Sequence, residues 1–330
     1  MKKSLLALTL LGAFSGAAFA QSSVTVYGIV DLGVGSERNA TQTKTSLLSG
    51  VQSGSRLGFK GTEDLGGGMS AIFQIENGFA ADTGNGLQTS TTSPNMIFGR
   101  RATVGLTGDF GAVNLGRRNT PYFNAMDSVD PMSVGFAGNA TNIFATTGIR
   151  MNNSVFYTTP NFNGVTAEVA YGFGEVPGDT SASRQIGGSI AYVGGPVSVA
   201  LAHHNVNDAT ATDSAKNTVI TGKYDFNVAI AHLAYARNTG TGTADNNDLL
   251  VGVTLPFGAH SIMASYIRKD DKSVANADAK QAALAYTYAL LKRTNLYASY
   301  AKISNDNGAT FKTNGGFGDR EANFGIRHKF

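Results

Sequence analysis

From Ser23 onward, apolar and polar side chains alternate with a period of two. Val24, Val26, Val30, Leu32 and Val34 share one parity, and Thr25, Tyr27 and Asp31 take the other. Successive Cβ atoms of an extended chain point to opposite faces, so this stretch is a strand with one apolar and one mostly polar face. The pattern recurs at Arg56 to Lys60, where Leu57 and Phe59 oppose Arg56, Gly58 and Lys60. It recurs at Met69 to Asn77, where Ala71, Phe73 and Ile75 oppose Ser70, Gln74 and Glu76. Further copies are Ala102 to Thr107, Val113 to Leu115, Ser154 to Thr159 and Val165 to Tyr171.

Two kinds of connection separate these units. Short turns such as Gly108-Asp109-Phe110-Gly111, Gly194-Gly195-Pro196 and Pro256-Phe257-Gly258-Ala259 alternate with long polar stretches. The latter run Glu37 to Gly54, Ala80 to Pro94, Asn207 to Ala215, Asn238 to Asn247, Asp270 to Ala279 and Ser304 to Arg320. A soluble sandwich has no reason to segregate its loops so regularly. An outer-membrane barrel does, because its periplasmic turns are tight and its external loops long. Counting hairpins gives roughly sixteen strands, the size that leaves an aqueous channel.

The hydropathy agrees. Mean hydropathy is −0.08, and no run after the N-terminus approaches the ~18 apolar residues of a membrane helix. Barrel strands alternate lipid-facing and lumen-facing residues and average out as neutral. The 41 glycines, 12 tyrosines and 19 phenylalanines suit tight strands and aromatic girdles. The N-terminus differs: Lys2 and Lys3, an apolar run from Leu5 to Phe14, and Ala18-Phe19-Ala20 describe a cleaved signal peptide over residues 1–20. The mature chain, 21–330, is then one domain. Of the 26 basic residues, 24 remain once Lys2 and Lys3 are removed, against 23 acidic ones. That balance argues against a nucleic-acid surface. Cysteine is absent, which removes thiolate chemistry and Cys-based metal sites. The chain ends on an amphipathic strand, with Ala322, Phe324, Ile326 and Phe330 on one face, and the terminal Phe330 reads as a barrel-assembly signal.

Several segments together carry a family resemblance. They are Ser23-Val24-Thr25-Val26-Tyr27-Gly28, the run Ser55 to Gly66, Val104-Gly105-Leu106, Leu115-Gly116-Arg117, Asn152-Asn153-Ser154-Val155, Leu291 to Tyr297 and Phe324 to Phe330. With these, the chain resembles the general trimeric porins of beta-proteobacteria. The resemblance implies an all-β, sixteen-stranded antiparallel transmembrane β-barrel in the outer membrane. It also implies a homotrimer, and a third external loop folded inward to narrow the pore. The expected function is a water-filled channel for passive diffusion of ions and small hydrophilic solutes. The expected partners are a homotrimer, outer-membrane lipid and lipopolysaccharide, and the barrel-assembly machinery, with no cofactor and no metal.

The stretch Asn119 to Ile149, about 31 residues, is the candidate third loop. Connections this long are functional or disordered, and this one is rich in Tyr122, Phe123, Met126, Met132, Phe136 and Phe144, which folding into the lumen would bury. Asp127 and Asp130 are its only acids and form the expected acidic side of a constriction. Parity assigns the basic side. Arg56 and Lys60 oppose Leu57 and Phe59, Arg101 opposes Ala102, and Arg150 opposes Val155 and Tyr157. At the end of the Val113 strand, strict alternation favours Arg118 while the Leu-Gly-Arg pattern of the family singles out Arg117; a bulge could reconcile them. Arg100 takes the apolar parity, near the external rim. Several cations opposite an acidic loop form a charged filter. Each unit charge ~5 Å from an ion is worth ~0.8 kcal/mol in water, which gives a modest anion preference.

Rival readings are an enzyme, a substrate-specific channel, and a surface receptor or adhesin on the same barrel. No G-x-S-x-G, H-E-x-x-H, Walker or G-x-G-x-x-G motif is present, so the chain is not expected to be an enzyme. The tyrosines mostly take apolar parity, which does not suit the aromatic track of a sugar channel.

Overall fold

The computed structural model describes residues 23–88, 96–241 and 245–330. The expected signal peptide lies outside the described residues. One antiparallel sheet contains all the strands among the described residues. They are β1 (Ser23–Arg38), β2 (Thr43–Ser49), β3 (Arg56–Gly66), β4 (Met69–Gly78), β5 (Arg101–Gly108) and β6 (Gly111–Asn119). After helix α1 (Pro121–Val129) come β7 (Arg150–Thr158), β8 (Val165–Gly172), β9 (Gln185–Gly194), β10 (Val197–Asn207) and β11 (Ser214–Asp225). The remainder are β12 (Ile230–Thr239), β13 (Asn246–Phe257), β14 (His260–Asp271), β15 (Ala279–Leu291), β16 (Thr294–Asn305) and β17 (Arg320–Lys329). β2 and β3 are two halves of one strand, because β1 pairs with β2 through Leu32 to Arg38 and with β3 through Ser23 to Ile29. The other edge of β1 takes β17, in the register Ile29 to Lys329 through Arg38 to Arg320. The result is a closed 16-stranded barrel with no free edge.

Alternation decides which side chains face out. Along β16, Asn295, Tyr297, Ser299, Ala301 and Ile303 are buried while Leu296, Ala298, Tyr300 and Lys302 are exposed. Val104 is 57% exposed, Leu106 46% and Leu115 48%. A continuous band of half-exposed large apolar side chains around a cylinder needs a hydrocarbon solvent, which a bilayer supplies. On the inward parity of β1 and β3, Thr25 and Lys60 are also exposed, so that side of the interior is open to water.

The short turns follow local chemistry. Gly111 closes the β5–β6 hairpin at φ 100°, and a Cβ there would stand 2.2 Å from the carbonyl oxygen of Thr158, so only glycine fits. At the seam, Gly28 and Phe330 exchange backbone hydrogen bonds of 3.1 Å each way, and the terminal ring lies over Gly28.

One expected loop is corrected. Half of Glu37 to Gly54 is strand, the C-terminal end of β1 and all of β2, joined by residues 39–42. Polar residues there stand above the apolar band yet still pair, because polarity reports water and not the loss of a ladder. Residues 50–55 then turn inward as a short arch before β3 begins.

Candidate functional site: the lumen and its charged wall

Residues 120–149 leave the wall between β6 and β7 and lie inside the barrel, as the length and apolar content of this stretch predict. Thr120 caps α1, its hydroxyl accepting from the Phe123 N–H at 3.1 Å, and Pro121 opens the helix where no N–H is needed. α1 packs on β8 to β12. Tyr122, Met126, Ile143 and Phe144 are fully buried, each contributing about 1.5–3 kcal/mol relative to exposure. The wall beneath them is small and apolar: Ala200, Ala202, Ala234 and Ala236 point inward and leave room for the helix.

A loop inside a barrel must satisfy its backbone groups from the wall. Asp248 accepts from the Ala145 N–H at 2.8 Å, Asn217 from Thr147 at 2.7 Å, and Ser299 from Ala137 at 3.1 Å. Gln281 donates to the Gly138 carbonyl at 2.8 Å. A ring nitrogen of His232 lies 2.8 Å from the Val129 carbonyl. Asp248 is itself held by Lys269 at 2.7 Å. The interior is therefore divided, filled by the loop along β8 to β16 and open along β1 to β6.

The open half carries the charge. Glu76 on β4 accepts from the Arg100 Nε at 2.6 Å and from the Tyr27 hydroxyl at 2.9 Å, with Arg56 Nη1 at 3.8 Å. Arg150 donates its Nε to the Arg100 carbonyl at 2.9 Å and lies in electrostatic range of Arg56, Arg100, Arg117 and Glu76. Arg56, Arg100 and Arg150 thus gather around one carboxylate. Across the lumen, Asp127 on α1 feels Arg56 and Arg100 from this wall and Lys223 from β11. Burial pushes its carboxyl above the usual carboxylate range, and these cations pull it back.

The other expected residues sit elsewhere. Lys60 stands over the Tyr27 ring at 5.7 Å, and Arg101 reaches the Thr103 hydroxyl at 3.2 Å; both line one niche with Thr25, Gln74 and Asn114. The bulge expected near Arg117 is present. Gly116 has φ 118° and the β6–β7 register shifts between Gly116 and Arg118. Arg118 faces inward, paired with Glu168 at 2.9 Å and stacked on Phe156. Arg117 instead bonds the Gly99 carbonyl at 2.8 Å and Asn152.

Two expectations need correction. Asp130 does not face the basic wall: its Oδ1 accepts from the Met132 N–H at 3.0 Å and its Oδ2 from Val134 at 3.0 Å and Ala140 at 3.1 Å. It staples the turn after α1, where Ser133, Val134 and Phe136 take positive φ, and its burial pushes the carboxyl up to about 6. Arg100 is not a rim residue. It precedes the first residue of β5, so strand parity does not govern it, and its side chain turns to Glu76. Glu76 itself was visible on the polar parity of β4, but no motif marked it out.

A family profile described as Gram-negative porin matches residues 7–308. The chain belongs to the Gram-negative porins. An outer membrane porin protein of Bordetella pertussis is 34% identical over 371 residues, covering 92% of this chain and 94% of the relative. Outer membrane porin protein 32 of Delftia acidovorans is 37% identical, covering 94% and 92%. Among solved structures, the anion-selective porin from Comamonas acidovorans superposes with TM-score 0.79 at 32% identity, covering 94% of this chain and all of that one. OmpT of Vibrio cholerae, at 14% identity and TM-score 0.68, shares the fold. This porin is an outer-membrane channel for passive diffusion.

Proposed function

We propose that this porin passes small hydrophilic solutes with a preference for anions, set by the wall of Arg56, Arg100 and Arg150. One observation carries the reading: three guanidinium groups share a single carboxylate, Glu76, so that wall keeps a net positive charge facing the open lumen. Asp127 opposes it and sets a transverse field that orients dipolar solutes. Lys60 and Arg101 extend the basic surface along the same side, while Arg118 is paired with Glu168. At ~0.8 kcal/mol per uncompensated charge ~5 Å from an ion, the preference is a few-fold to about tenfold, and salt screens it. The anion selectivity named for the Comamonas acidovorans porin supports this reading.

The channel works as a homotrimer after removal of residues 1–20, with Phe330 read by the assembly machinery, and it acts by diffusion and not by catalysis. Replacing Arg56, Arg100 and Arg150 together by Gln should move the zero-current potential in a KCl gradient toward cations. An unchanged potential removes these residues from the filter. Conductance insensitive to added sugars separates a general porin from a substrate-specific channel.

A further inference from the structure

The inward arch of residues 50–55 is a junction of three parts of the molecule. Asp31 on β1, fully buried, holds it: Oδ2 accepts from the Gln52 N–H at 2.9 Å and the Ser53 N–H at 2.6 Å, and Oδ1 from the Tyr297 hydroxyl at 2.6 Å. Its backbone closes both feet. The Asp31 carbonyl accepts from the Gly50 N–H at 2.8 Å, and its N–H donates to the Ser55 hydroxyl at 3.1 Å. The arch in turn meets the third loop, where the Phe136 N–H donates to the Val51 carbonyl at 2.5 Å and Val51 packs with Phe136. It also meets the basic wall. Arg56 Nε donates to the Gly54 carbonyl at 2.8 Å, and the Arg100 guanidinium lies against Gly54.

We propose that Asp31 is a positioning residue for ion selectivity: by clamping the arch, it fixes the Gly54 carbonyl that aims Arg56 into the lumen. This rests on the basic wall proposed above. Arg56 is a long side chain with several rotamers, and its contact with Glu76 is loose at 3.8 Å. The bond to Gly54 is its closest hydrogen bond, so its aim depends on an arch whose shape Asp31 dictates.

The sign of the effect separates this from simple charge. Deleting a carboxylate should by Coulomb's law make the channel more anion-selective; loosening Arg56 should make it less so. Asp31→Asn is expected to lower the anion-to-cation permeability ratio by up to about 3-fold, the combined loss of anion attraction and cation repulsion when a unit charge retreats from ~5 to ~8 Å of the ion path in water. Ser55→Ala, which changes no charge, should shift it the same way by less. In an Arg56→Gln background the lowering should vanish in both variants, because coupled residues are not additive, leaving at most the Coulomb rise in Asp31→Asn. A higher ratio in Asp31→Asn with Arg56 present, no shift in either variant, or a lowering that persists without Arg56 overturns the proposal. Should Asp31→Asn not fold to a heat-modifiable barrel, Ser55→Ala with and without Arg56→Gln decides it. If Arg56→Gln by itself leaves the ratio unchanged, the basic wall is overturned, which is a distinguishable result.

Discussion

At the scale of single residues, two acids that sequence pattern could not tell apart have different work. Asp127 and Asp130 lie three positions apart on one loop, and both read as eyelet charges. Asp130 lies where the helix ends and the chain turns back through positive φ, so its carboxylate is consumed by three backbone N–H groups. Asp130→Ala leaves those donors buried without an acceptor, at about 1–3 kcal/mol for each one that stays unsatisfied. Noisier single-channel current and a lower unfolding temperature are expected; quiet, wild-type traces would refute the staple. On the proposed reading, Asp127 keeps its charge for the lumen. Its carboxyl is raised by burial, so it loses its negative charge as pH falls, sooner than an ordinary aspartate would. Anion preference should therefore rise on mild acidification. In Asp127→Asn it should start at the higher value and respond less to pH. An identical pH response in that variant would move the titrating group elsewhere.

At the scale of elements, strand parity was the most legible feature and its failures are physical. The rule of apolar outside and polar inside holds for β1 to β6, where the interior is wet. Beneath α1, on β10 and β12, it becomes large apolar outside and small apolar inside, as Ala200, Ala202, Ala234 and Ala236 show, because the second solvent there is a helix and not water. The position of the third loop could be read from its length and its aromatic content. The inward arch could not, because residues 50–55 are too polar and too short to stand out from a loop. Arg100 escaped because parity has no force one residue before a strand begins, and Arg117 and Arg118 could be separated only by the bulge at Gly116. The docking of α1 gives a direct check. Ala202→Leu with Ala234→Leu overpacks the bed of the helix, at about 1–3 kcal/mol per site, and should change unit conductance while the barrel itself survives. Unaltered conductance in a folded double variant would mean that the helix does not rest there.

At the scale of the whole molecule, one closed sheet separates two solvents, and the loop folded into it divides the interior into a packed half and an open one. Fixed charge collects on the open half, where Arg56, Arg100 and Arg150 outnumber Glu76. The most direct test is the zero-current potential of the reconstituted protein across a KCl gradient, taken at low and then at high ionic strength. The account predicts a potential on the chloride side that shrinks as salt rises. A potential on the potassium side at low salt, or none at all, would contradict it.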